Sequence, residues 1–132
     1  MAARVAALAL LALAVAGCAD GGGGGVVPER DAEGRYVVLL TADNTFEPAD
    51  ARVPLGSTVV WRVVGANLHD VDGYAPGEDY STVSSMWDPP RGLGRLMAEG
   101  EEFEATLDRK GTWLFFCHNH HYEEMKGRIR VG

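Results

Sequence analysis

Between Cys117 and Met125 the chain reads CHNHHYEEM, which packs one thiol, three imidazoles and one thioether into nine residues. A solvated turn has no use for that mixture, whereas a soft metal ion does. If Cys117 ends a strand, His118 points to the opposite side of it, and a tight turn after Asn119 returns His120 to the side of Cys117. Met125 follows His120 after four intervening residues, placed to lie beside the same point as the chain re-enters a strand. One loop thus offers a thiolate, an imidazole and a thioether.

Three donors want a fourth, and the obvious source is His69 in NLHDV, far upstream at the end of another strand. Two His and one Cys with a weak axial Met form the blue-copper arrangement, in which soft sulfur suits Cu(I) and imidazole suits both oxidation states. Cys and His also suit zinc, but the thioether favours copper. A turn one residue longer would put His121 in place of His120. Without a metal the same residues read as a buried free Cys, a core Met and surface His, which accounts for neither the spacing nor the upstream His.

The elements that must position these donors read as strands. YVVLLTA (36–42) is a β-branched and aliphatic run, and a short strand is expected around Ala51 to Pro54. In TVVWRVV, Val59, Trp61 and Val63 share one face and Val60, Arg62 and Val64 the other. EEFEATL puts Phe103, Ala105 and Leu107 together, TWLFFC aligns Trp113, Phe115 and Cys117, and GRIRV aligns Ile129 and Val131. Trp61, Trp113, Phe115 and Phe103 are taken as core. Short alternating strands between turns predict an antiparallel sandwich or small barrel. The exception is a long irregular loop over about 71–100, in which TVSSMWDPP forms either a short helix or a flap.

The 132 residues are 46% hydrophobic with 17 glycines, enough for one domain and flexible padding. Lys and Arg total 12 against 19 Asp and Glu, a formal charge of −7 with no basic cluster evident in the sequence. Nucleic acid is therefore not expected as a partner. An acidic surface favours a basic protein partner.

The N-terminus reads as a targeting segment, with Arg4 followed by an apolar run, Val5 to Ala16, that is too short to span a bilayer. It ends in VAGC, Val15 to Cys18, which resembles the lipobox of bacterial lipoproteins, where the leader is removed before a lipid-modified cysteine. Cleavage after the A-x-A at Ala14 to Ala16 is the alternative. The expected organisation is a signal peptide at 1–17, a lipidated Cys18 with a flexible Gly-rich linker at 18–35, and one domain at 36–132. Losing residues 1–17 removes only Arg4, leaving 19 acidic against 11 basic groups. With Cys18 lipidated, Cys117 has no disulfide partner, a liability in an oxidising compartment unless something occupies the thiol.

A lone His after a strand, then C-x2-H-x4-M at Cys117, His120 and Met125, resembles the cupredoxins, and most closely their plastocyanin-like single-domain members. NTFEPADARVPLGSTVVWRVVGANLHDV is similar to the family's first half, and GEEFEATLDRKGTWLFFC to its approach to the cysteine. The resemblance implies an all-β Greek-key sandwich holding one type 1 copper. It implies outer-sphere one-electron transfer with redox protein partners, outside the cytoplasm. The electron would leave through the edge of His120, in an apolar patch for which Leu68, Leu93 and Met97 are candidates. A monomer is expected. Copper transport, storage or delivery is the alternative function. With four His in all, too few remain after His69 and His120 for a further catalytic copper, so an enzyme is not expected.

The chain departs from the family pattern at His118 and Asn119, where relatives keep Ser or Thr and then Pro, and at Asp70, where many keep Asn. The paired change suggests that Asp70 and His118 join the His69 segment to the Cys117 loop, orienting the ligands and making the copper potential vary with pH. The alternative is that both side chains are merely solvated. Tyr122, Glu123 and Glu124 read as a solvated loop or a partner contact.

Overall fold

The computed structural model describes residues 24–78, 96–120 and 124–132. Expectations for the leader, Cys18, the TVSSMWDPP stretch, Leu93, His121, Tyr122 and Glu123 lie outside the described residues. The strands are β1 (Tyr36–Leu40), β2 (Phe46–Glu47), β3 (Asp50–Val53), β4 (Thr58–Val63), β5 (Asp72–Tyr74), β6 (Glu102–Thr106), β7 (Gly111–Phe116) and β8 (Lys126–Val131). They form two four-stranded sheets, ordered β2-β1-β4-β6 and β3-β8-β7-β5. No helix occurs among the described residues.

The alternating patterns set which side chains go inward. Along β1 the buried positions are Tyr36, Val38 and Leu40, and along β8 they are Ile129 and Val131. Trp61 and Phe115 face each other from the two sheets with ring centroids 5.6 Å apart, and Phe46 meets Phe115 edge-on at 4.7 Å. These buried aromatics carry large apolar area and pack the two sheets against each other.

The sheets are mixed rather than antiparallel throughout. β1 pairs with β4 in parallel, and β3 pairs with β8 in parallel. The physical reason is a crossover: between β1 and β4 the chain leaves for the other sheet to form β3, so it returns beside β1 in the same direction rather than by a hairpin.

Ordered contacts begin before the expected start at Tyr36. Val26 bridges Ala51, Arg30 bridges Tyr36, and the Val37 N–H donates to the Glu29 carbonyl at 2.9 Å. Arg35 then binds Asp31 at 2.7 Å, Glu102 at 3.0 Å and Glu104 at 2.8 Å, clasping this segment onto the first sheet. Residues 29–31 overlie the outer face of that sheet beside Val37, Leu39 and Arg62. This explains why Val60, on the outward side of β4, is as buried as Trp61.

On the second sheet, register brings together cations that are far apart in sequence. Arg52 is the partner of Arg130, and Asp50 the partner of Arg128, with Lys126 one step further along β8. Alternation against the buried Ile129 and Ala51 turns Arg52, Lys126, Arg128 and Arg130 to the outer face. The expectation of no basic cluster is thereby corrected, because the cluster forms only when β3 lies beside β8.

Candidate metal centre

Cys117 directly follows β7 and Met125 directly precedes β8. The Cys117 N–H donates to the Met125 carbonyl at 3.0 Å, one rung beyond the Phe116–Lys126 pair of the ladder. Alternation from the buried Phe115 sends the Cys117 side chain into the core, where both Cys117 and Met125 are fully buried. His118 consequently turns outward with Phe116, their rings 4.9 Å apart.

His69 comes from the first half of the chain, in the connection from β4 to β5. Its backbone exchanges two hydrogen bonds with Met97, at 3.0 Å and 2.7 Å. The His69 Nε2–H donates to the Thr41 carbonyl at 2.9 Å, which fixes the tautomer and leaves Nδ1 bare. That nitrogen lies 3.9 Å from the Cys117 sulfur, and His120 Nδ1 lies 3.6 Å from it. The candidate donor atoms of His69, Cys117 and His120 all fall within 4.8 Å of one another.

Asp70 joins the two halves of the site. Its N–H donates to Cys117 Sγ at 3.5 Å, and its Oδ1 accepts the thiol at 3.0 Å. Oδ1 also accepts the Asn119 N–H at 3.3 Å, and Oδ2 lies 3.2 Å from His118 Nδ1. Beyond His118, its Nε2 is 3.8 Å from the Asp72 carboxylate. Asn119 adds a second tie through its side-chain amide, which donates to the Leu68 carbonyl at 2.9 Å. Thr41, Asp72 and Asn119 are the contributors that sequence reasoning missed. Only Asn119 left a sign, as the residue standing where relatives keep Pro.

The electrostatics suit a cation. Burial, reinforced by the hydrogen bond to Asp70, pushes the Cys117 thiol up to about 11, so without a metal it stays protonated. Burial also holds His69 below the usual imidazole value, outweighing the opposite pull of the Thr41 carbonyl, and keeps the ring neutral as a ligand must be. A buried thiol between two imidazoles, in a chain whose described cysteine is unpaired, is a donor set that fits copper.

One candidate for the apolar rim is corrected. Met97 is 2% exposed and belongs to the core, because its two backbone bonds to His69 draw it under the site. Leu68, whose carbonyl accepts the Asn119 side-chain amide, is 46% exposed.

With this geometry in view, comparison with known proteins is specific. The family described as copper binding proteins, plastocyanin/azurin family, matches residues 37–132. Chloroplastic plastocyanin B of Populus nigra is 33% identical over 101 residues, covering 71% of this chain and 57% of that one. Halocyanin of Natronomonas pharaonis is 31% identical over 111 residues, covering 81% of this chain and 62% of that one. The chain thus spans less than two thirds of these two relatives, whereas it covers 96% of the Scenedesmus fuscus plastocyanin at 31% identity. Among solved structures, a reduced amicyanin variant superimposes with a TM-score of 0.60 at 22% identity, covering 81% of this chain and 97% of that one. A copper-containing nitrite reductase from Thermus scotoductus matches 74% of this chain but only 22% of its own, with a TM-score of 0.57. A two-sheet sandwich, a His-Cys-His cluster at one end of it and a match running from β1 to the last residue agree: the chain belongs to the plastocyanin/azurin family of copper-binding proteins and carries a site for one copper.

Proposed function

We propose that this protein is an extracytoplasmic one-electron carrier in which His69 Nδ1, Cys117 Sγ and His120 Nδ1, together with Met125, would hold one copper. The observation that carries the reading is the buried Cys117 sulfur lying between two imidazole nitrogens while its own N–H is bound to the Met125 carbonyl. Copper bound there would supply reversible Cu(I)/Cu(II) exchange. The chain's part is to keep its donors still. Thr41 holds the His69 ring, Asp70 and Asn119 hold the Cys117 loop, and the β7–β8 ladder sets the spacing of Cys117 and Met125. Ligands held from outside the site have little freedom to rearrange when the charge changes, which keeps the barrier to electron transfer low.

No substrate-sized opening is needed for such a role. The His120 ring is only partly buried, and the exposed Leu68, tied to the same loop through Asn119, supplies an apolar contact for a redox protein partner. A cytochrome or a membrane electron-transfer complex fits that description. Anchoring through a lipid on Cys18 would keep the carrier beside such a partner, and mass spectrometry of the native chain tests the modification.

The decisive experiment is an optical and spin-resonance spectrum of the copper-loaded protein. An intense Cys-to-copper charge-transfer band with reversible reduction is expected, and a colourless complex sinks the reading. Copper transport or storage would instead show as rapid loss of Cu(I) to a mild chelator. The full burial of His69 and Cys117 favours retention over exchange.

A further inference from the structure

Four of the chain's 12 cationic side chains share one surface of an acidic protein. On the outer face of the second sheet, Arg52 and Arg130 stand directly opposite each other, flanked by Arg128 and Lys126. Asp50 is the one carboxylate that β3 and β8 contribute, and it is already bound to Arg128 at 2.9 Å and Arg130 at 2.8 Å. Among the described residues, Arg52 and Lys126 make no ion pair. Like charges directly opposite on one sheet face weaken the sheet, so folding stability gives no reason for this arrangement.

Aliphatic side chains accompany the cations. Leu114, the register partner of Arg128, is 46% exposed. Val27, beside the Val26–Ala51 bridge at the β3 edge of the same sheet, alternates to the same side and is 55% exposed. Cations interleaved with solvent-facing aliphatics suit a lipid surface, where headgroups meet the charges and the interface takes the apolar groups.

The position of the chain's N-terminal side selects that occupant. The Arg130 guanidinium donates to the Gly24 carbonyl, so Gly24 lies against this face. Residues 19–23 separate it from Cys18, and fully extended they bridge at most about 20 Å. A lipid on Cys18 would therefore hold this face, rather than the opposite one, toward the membrane.

We infer that the basic outer face of the second sheet, centred on Arg52, Lys126, Arg128 and Arg130, docks on the anionic phospholipid headgroups of the membrane. The orientation rests on the lipid-anchor reading of Cys18, but the charge recognition does not. The net charge of −7 does not forbid it, because carboxylates more than about 8 Å away are screened at physiological ionic strength. Docked by this face, the sandwich keeps the end carrying His120 beside the membrane and clear of it, accessible to a partner.

The test uses a chain beginning at residue 18 with Cys18→Ser, which carries no acyl group and retains every described strand and core side chain. Its sedimentation with phosphatidylglycerol-containing vesicles is compared with that on pure phosphatidylcholine. Binding should appear on the anionic vesicles, weaken as salt is raised, and fall about fivefold for each cation removed, so about 25-fold in Lys126→Gln/Arg128→Gln. Arg109→Gln/Lys110→Gln, which removes the same charge from the exposed β6–β7 turn, should leave it unchanged. Arg52→Gln provides an independent reading should the double variant fold poorly. Equal binding to both vesicle types, or equal loss in the two double variants, overturns the proposal. So does salt-sensitive binding to an acidic protein or a DNA duplex in place of vesicles. Absence of acylation on the native chain would remove the anchor and leave the vesicle result standing.

Discussion

Asp70 accepts the Cys117 thiol at 3.0 Å through one carboxylate oxygen while its own backbone N–H donates to the same sulfur at 3.5 Å. One residue therefore touches the sulfur twice, with opposite consequences. The N–H favours a thiolate, and the carboxylate favours the protonated thiol. Asp70→Asn keeps the N–H and removes the charge, so Cu(I) affinity at neutral pH should rise as the thiol loses its proton more easily, and the reduction potential should move upward, because a buried negative charge beside the site favours Cu(II). Asp70→Ala also unties Asn119 and His118, and should instead lower copper affinity about 10–100-fold, the usual cost of losing a group that orients a ligand. Competition titration against a chelator separates the two. Equal affinities in both variants would show that Asp70 acts through charge alone.

The metal-free protein should reveal the state of Cys117 directly. With its value pushed up to about 11, chiefly by burial, the thiol should resist alkylation near neutral pH and react only as pH climbs toward that value. A native-state value above the unfolded one stabilises the fold at pH below the ordinary thiol range, and this contribution is lost as pH rises through the native value. The loss should be on the order of 2 kcal/mol across that window. Urea unfolding of the metal-free parent and of Cys117→Ser, at neutral pH and near the native value, checks it. A stability difference independent of pH would refute the assignment.

The turn that brings Cys117 and His120 together and most strands were legible because both depend on short-range spacing. Phe115 and Cys117 alternate inward on the same face, and the chain must turn between Cys117 and Met125. What was not legible depends on which strands become neighbours. Arg52 lies opposite Arg130 only because β3 pairs in parallel with β8, a choice made by the crossover and not by either segment. The Thr41 contact was invisible for another reason: it uses a backbone carbonyl, which every residue has. The ordering of residues 26–35 was missed because a polar, turn-rich stretch reads as linker. Its ion pairs reach Glu102 and Glu104, far along the chain.

Gly127 should tolerate no side chain. It faces inward from β8, and a Cβ there would come within 2.4 Å of the Phe115 ring and 2.7 Å of the Ala49 carbonyl. The ring is held between Trp61 and Phe46 and has nowhere to go. Gly127→Ala should cost at least about 1–3 kcal/mol of stability. Because Gly127 is two residues past Met125, the variant should also perturb the copper spectrum. Denaturant melts of the metal-free and copper-loaded forms test both parts, and a variant as stable as the parent would contradict the packing.

The clasp made by Arg35 should open in acid before the sheets do. Burial alone would raise the Asp31 and Glu102 carboxyls, but hydrogen bonds from Arg35, joined by Arg62 at Glu102, hold both below the ordinary carboxylate range. A depressed value contributes stability above the unfolded carboxyl range, and the contribution is lost as pH falls through the native value. Nothing comparable ties β7 to β8, whose ladder consists of uncharged backbone bonds. Lowering the pH should therefore release residues 29–35 while the β7–β8 ladder stays closed. Amide exchange reads this out: Val37, whose N–H is bound to the Glu29 carbonyl, should lose protection relative to the β7 and β8 amides. Arg35→Gln should reproduce that selective loss at neutral pH. Simultaneous loss of protection at Val37 and along β8 would mean that the segment opens only with the whole domain, and the clasp would have no separate existence.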